Sequence, residues 1–169
     1  ACLGPDGHLV IEFHHGLELV RQRQFDMIRH GHPVYLTLSA LEPALARHGL
    51  QMRSAVASEL YGGSLTLTAG RGSQPDASIE SILTAEREAG LCDPSRLRRM
   101  NDELRESAAA LHAWLAARMA AGRRVFGYGA PSKAPVLLNL AVVGTDLLPF
   151  TADLSPAKQV RRLPVTRIP

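Results

Sequence analysis

The sequence predicts a mixed α/β chain in which a strand-rich first part and a helical middle precede a β-α-β unit. Three observations predict it. The first seventy residues carry short alternating runs, as in "HLVIEF" and "SLTLT". Residues Leu97, Met100, Leu104, Ala108, Leu111, Leu115 and Met119 then recur at three- and four-residue spacing, the period of one helix face. Finally, Val125-Phe126 runs into Gly127-Tyr128-Gly129 and a short apolar helical run, and a second apolar stretch ends on Asp153.

The elements follow in order. "GPDG" is a Pro/Gly turn, and the β-branched alternation after it predicts a strand over 8–13. A loop or short helix passes through Leu17 and Leu19. Ser39 is expected to cap a helix through Leu41 and Leu45, with Glu42 three residues after the cap and Gly49 as its stop. "LQMRSAVASEL" and "SLTLTAG", joined across Tyr61-Gly62-Gly63, read as an antiparallel pair. Gly, Ser, Pro and Asp dominate from Gly70 to Ala77 and mark a linker, so the boundaries fall at 1–72, 73–122 and 123–169. Within the middle stretch Ile79, Ile82 and Leu83 start a helix that Gly90 ends. Asp93-Pro94, a cap followed by a first-turn proline, opens the long one, and Gly122 closes it. In the last stretch 125–126 is the first strand, 127–132 the turn, 136–140 the helix and 148–152 the second strand.

Composition narrows the function classes. Nineteen basic and sixteen acidic residues leave a formal charge of +3, and the arginines are scattered, which does not suit a nucleic-acid face. Two cysteines provide neither a disulfide framework nor a CxxC pair, which favours a reducing, cytoplasmic setting. No apolar run approaches the roughly 18 residues of a membrane span. The chain opens on Ala1, without a methionine, directly into a turn and strand, a start that is expected to be cut.

A turn between a strand and a helix leaves backbone N–H groups unpaired, with the helix dipole behind them, so an anion suits it. Gly127 and Gly129 permit close approach, Ser132 offers a hydroxyl and Lys133 a point charge suited to phosphate. Asp153, 24 residues after Gly129, falls where a dinucleotide-binding unit places its ribose carboxylate. Pro131-Ser132-Lys133 stands where a third glycine would close an NAD site, which weighs against an NAD-dependent oxidoreductase. A plain glycine turn with a solvated lysine and a capping aspartate is the structural alternative.

The segments "GYGAPSKAPVLLNLAVVGTDLL" and "DLSPAKQVRRLPVTRIP", with "QFDMIRHGHPVYLT", "RHGL" and "YGGSLTL" upstream, resemble the C-methyltransferases that act on nucleotide-linked keto-sugars in deoxysugar biosynthesis. The resemblance covers nearly the whole chain. It implies the end of a class I methyltransferase sheet, a helical connector and a truncated Rossmann-like domain that holds the sugar nucleotide. "LGPDGHLVIEF" resembles the fifth strand of that sheet. The S-adenosylmethionine loop and the family's N-terminal zinc cysteines would then lie upstream, with no metal in this chain and no methyl transfer by it alone. The edge of its first strand would also be exposed to wrong pairing.

Methylation next to a ketone removes an α-proton, stabilises an enolate and brings in a methyl sulfonium. The resemblance places the proton acceptor at His32, with His30 before it and Tyr35 downstream. The family's tyrosine and glutamate fall on Arg29 and Gly31, so Arg29 is expected to stabilise an oxyanion or a pyrophosphate. A metal pair from His30 and His32, with His14 and His15 nearby, lacks a clear third ligand. Lys158, Arg161 and Pro164 match the family's last loop, where its glycines become Val160 and Val165 and its histidine Arg167. The substrate-binding set is therefore expected to be Gly127, Tyr128, Gly129, Ser132, Lys133, Asp153, Lys158 and Arg161. The implied function is part of a C-methyltransferase, and a non-catalytic nucleotide-diphosphate binding module is the alternative.

Overall fold

Alternation along the first strand decides how the sheet assembles. In a computed structural model describing residues 3–28, 31–72 and 74–169, β1 (His8–His14) pairs antiparallel with β3 (Ser64–Gly70), which also pairs antiparallel with β2 (Gln51–Ser58). The order is β1-β3-β2, with Leu9 opposite Ala69, Ile11 opposite Leu67 and Phe13 opposite Leu65. β3 is central, and its Leu65, Leu67 and Ala69 are fully buried. Two helices supply the other side of this core: α2 (Leu38–Ala46) with Leu38, Leu41 and Leu45, and α3 (Ala77–Glu88) with Ile79. Each such leucine contributes about 1.5–3 kcal/mol of burial. A bulge between Met52 and Ser54 shifts the register of β2.

The expected elements are present with two shifts in this part. Thr37, not Ser39, caps α2, its hydroxyl accepting from Ala40 N–H at 3.1 Å. Ser39 lies inside the first turn because its own side chain and amide are bound elsewhere, as described below. α3 also packs on the sheet through Ile79, Ile82 and Leu83 instead of standing with the connector. Asp76 caps it and accepts from Ser78 N–H at 2.9 Å. A short helix α1 (Gly16–Arg21) follows β1, and the β2–β3 connection passes through left-handed Tyr61 and positive-φ Gly62 and Gly63.

The chain forms two units: residues 1–24 with 32–98, and residues 25–31 with 99–169. In the second, α4 (Pro94–Ala120) contributes Ala108 and Leu115 to a cluster with Leu138, Val143, Leu147, Leu148 and Ile168. The two ends of its apolar stripe, Leu97 and Met119, are about half exposed. The unit's parallel pair is shorter and later than the sequence suggests: β4 is Gly127–Tyr128 and β5 is Thr151–Ala152, flanking α5 (Ala134–Leu140). Pro149 lies inside the expected second strand and has no ladder N–H. At Gly127 the strands close up, since a Cβ there would sit 2.8 Å from Thr151 Oγ1. Phe126, expected within the first strand, instead stacks on Phe150 with ring centroids 4.5 Å apart. Among the described residues no helix is long and apolar enough to cross a membrane, and no group of three His, Cys, Asp or Glu could hold a metal ion.

Candidate functional site

In the first unit the polar residues gather at the carboxyl end of β1. His15, directly after the strand, is held by its N–H on Gly63 O at 3.0 Å and bridges in parallel to Leu36. Its Nε2 lies 2.7 Å from Glu86 Oε1, with the carboxylate fully buried. Glu86 also accepts from Leu38 N–H at 2.8 Å, Ser39 N–H at 2.9 Å and the Ser39 hydroxyl. Burial pushes its pKa up, but the donors from His15, Ser39 and Leu38 outweigh it and hold the carboxyl below its ordinary value. A helix start, a strand end and α3 are thus fastened by one carboxylate.

Sequence reasoning missed this residue, although a signal was present. Ile79, Ile82, Leu83 and Glu86 occupy the spacing of one apolar helix face, so Glu86 stands where a core residue belongs. A carboxylate there requires buried donors. His15 also lines a cleft of about 510 Å³ with Glu18, Gln22, Ser58, Glu59 and Ser64.

His32 and Tyr35 come together at this end of the unit, in the segment leading to α2, with ring centroids 6.2 Å apart. Both are partly buried. Arg29 and His30 lie outside the described residues.

In the second unit, Ser132, Asp153, Lys158 and Arg161 line one cleft of about 590 Å³ at the carboxyl ends of β4 and β5. Asp153 ties its floor together: Oδ2 accepts from Ala130 N–H at 2.7 Å and from Lys158 Nζ at 3.2 Å, while Oδ1 accepts from Ser155 N–H at 2.8 Å. These backbone donors, Ala130 first and Ser155 next, keep its carboxyl below the ordinary range. The turn amides are therefore largely committed. Ala130 N–H goes to Asp153, Ala134 N–H to Pro131 O, and Pro131 and Pro135 have none. Lys133 is absent from the cleft wall and pairs with Asp26 at 2.5 Å. Gly127 and Gly129 donate to Phe150 O and Ala152 O in the strand pair, and Tyr128 projects into solvent. The positive charge facing the cleft comes instead from the loop after β5, through Lys158, Arg161 and Arg162.

That loop carries an unusual backbone. Val160, Val165 and Arg167 adopt φ of 56°, 66° and 55°, the left-handed region in which a β-branched side chain is strained. The two valines are the positions where the sequence resemblance puts glycine, so the loop keeps a glycine-type path with the wrong side chains on it. Val165→Gly should raise thermal stability: relief of about 1–3 kcal/mol of strain exceeds the about 0.4–1 kcal/mol of added freedom in the unfolded chain. Val165 is 83% exposed, so no buried contact is lost. A calorimetric scan showing a lower midpoint for the variant would reject the strain.

Comparison with known proteins gives two findings. A sequence profile described as the C-methyltransferase C-terminal domain matches residues 59–169. The chain is also 30% identical over 172 residues to the C-methyltransferase NovU of Streptomyces niveus, a similarity that covers 100% of the chain. It spans 41% of that relative's length.

Proposed function

Because the chain belongs to the C-methyltransferase family, we propose that it is the acceptor-handling part of an S-adenosylmethionine-dependent enzyme that methylates the carbon beside the ketone of a nucleotide-linked keto-deoxysugar. The methyl donor would be bound mainly by residues upstream of this chain, and its sulfonium would supply the electrophilic methyl group. The single observation that carries the reading is the cleft of the second unit. It sits where parallel strands end, the usual ligand position of such β-α-β units, and three cationic side chains line it. Lys158 and the two arginines suit a diphosphate, which Arg can grip through two N–H groups at once.

Asp153 acts in this reading as a positioning residue. By holding Ala130 N–H and Lys158 Nζ together it fixes the turn and one cation of the loop. His32 and Tyr35 of the first unit, together with Arg29, divide the work of taking the α-proton and holding the charge that forms on the carbonyl oxygen. The relative's name supports the reaction class, and the keto-sugar acceptor comes from the sequence resemblance.

Titration calorimetry with a thymidine diphosphate sugar tests the assignment. The chain should bind it, and Arg161→Ala should weaken binding by about tenfold or more, the loss of one charge-assisted contact. Equal affinity of wild type and variant would remove Arg161 from the site. Tight NAD binding with no affinity for the sugar nucleotide would overturn the acceptor reading itself.

A further inference from the structure

We propose that Lys133 is a positioning residue, which together with Asp26 anchors the segment that presents Arg29 and His32 to the acceptor. The proposal rests on the methyl-transfer reading, and it takes Lys133 out of the phosphate-binding role that its place after a glycine turn suggests. Residues 25–31 belong to the second unit, although the chain on either side of them, 1–24 and 32–98, belongs to the first. Arg29 lies inside this short excursion and His32 follows it directly. Where the excursion is held therefore bears on where the reacting side chains stand.

The hold lies at Asp26. This residue sits in a single 3-10 turn, Phe25–Met27, that packs against α5. A turn of three residues closes too few backbone hydrogen bonds to fix its own place. Asp26 Oδ2 accepts from Lys133 Nζ at 2.5 Å, and Lys133 is the residue from which α5 starts. The backbone of Lys133 is itself fixed, its carbonyl accepting from Val136 N–H at 3.1 Å. Three residues earlier Ala130 N–H is held by Asp153, which also holds Lys158 of the cleft. One run of contacts within the second unit thus joins a cation that faces the diphosphate to the stretch that carries Arg29.

Charge and exposure fit positioning better than ligand binding. Lys133 does not line the cleft, and its ammonium is already neutralised by a carboxylate that is only 25% exposed. A phosphate at that nitrogen would meet the like charge of Asp26. Lys158, Arg161 and Arg162 supply the cleft's cations without it. An ion pair with a half-exposed partner adds little to global stability, so its loss should be read in the placement of the segment. Misplacing a reacting group by about 1 Å is enough to cost about 100-fold in rate.

Two measurements on the complete enzyme test this. Hydrogen–deuterium exchange followed by mass spectrometry needs no turnover: Lys133→Met and Asp26→Asn should each speed exchange of the amides of 25–31 by about tenfold or more, while β1 and β3 keep their wild-type protection. Unchanged exchange at 25–31 would overturn the proposal. In steady-state kinetics each variant should lower kcat for methylation of a keto-sugar nucleotide by about 10- to 100-fold, with thermal midpoint and affinity for a thymidine diphosphate sugar held. The double variant should be no slower than the slower single one, since a single contact is lost once; losses that multiply would overturn the pairing. A Lys133→Met enzyme that binds the sugar nucleotide about tenfold more weakly, beside an Asp26→Asn enzyme that binds it normally, would make Lys133 a phosphate ligand and refute the anchor. Wild-type kcat in both single variants would reduce the contact to a surface ion pair and refute it too. A wild-type enzyme that methylates no keto-sugar nucleotide, with exchange at 25–31 still loosened in both variants, would sink the reaction reading and leave the anchor standing.

Discussion

Glu86→Ala is expected to destabilise the first unit by about 3–5 kcal/mol, because several buried donors lose their shared acceptor and each orphaned donor costs about 1–3 kcal/mol. The truncation leaves His15 Nε2 and the amides of Leu38 and Ser39 without their acceptor, and it opens a void beneath α2. Thermal unfolding followed by circular dichroism should show a fall in midpoint on the order of 15 °C or more. The pH dependence gives a second readout. The folded carboxyl titrates below its ordinary 4.5. Its stabilisation is therefore complete above the pKa of the unfolded chain and drains away as pH falls through that value towards the lower, folded one. The wild type should lose this increment on acidification, and Glu86→Ala, with none to lose, should show a flatter profile. Parallel profiles would mean that the carboxylate is not ionised in the folded unit.

In the complete enzyme, His32→Ala should lower turnover by about 10²- to 10⁴-fold, the range for removing a group that moves a proton or steadies charge in the transition state. Sugar-nucleotide affinity should stay within about twofold, because the proposed diphosphate contacts belong to Lys158 and the arginines of the other unit. The ring of His32 stands close to Tyr35, and the pair is placed by the segment that runs into α2. Equilibrium binding and steady-state kinetics on the same preparation separate the two quantities. Unchanged turnover would remove His32 from the reaction.

Much of the fold was legible because hydrophobic period and punctuation agreed. Gly49, Gly90 and Gly122 stop helices with φ of 66°, 69° and 71°, and Asp93 caps α4 by accepting from Ser95 N–H at 2.8 Å. The alternation of 64–70 revealed a strand but not that it would be central. That depends on pairing with β1 some fifty residues earlier, which no local window contains. The Thr37 cap was hidden for a related reason: Ser39 has an equally suitable side chain, and only Glu86, far along the chain, draws it inward. The second unit shows the same limit in its site. Ser132 and Asp153 could be read from the turn and its spacing, Lys158 and Arg161 only from the family resemblance, and the four share a cleft. Local sequence did not indicate that Asp153 would occupy Ala130 N–H or that Asp26 would pair with Lys133, because both depend on tertiary neighbours.

The bond from Glu86 to the first amides of α2 also bears on the order in which the first unit assembles. Ala40 N–H is satisfied by its own neighbour, Thr37, as soon as a single turn forms. Leu38 and Ser39 must wait for a segment nearly fifty positions downstream to arrive. The start of this helix is thus completed late, as one cooperative event with the docking of α3, and solvent exchange at those two amides would follow separation of the helices more closely than local fraying.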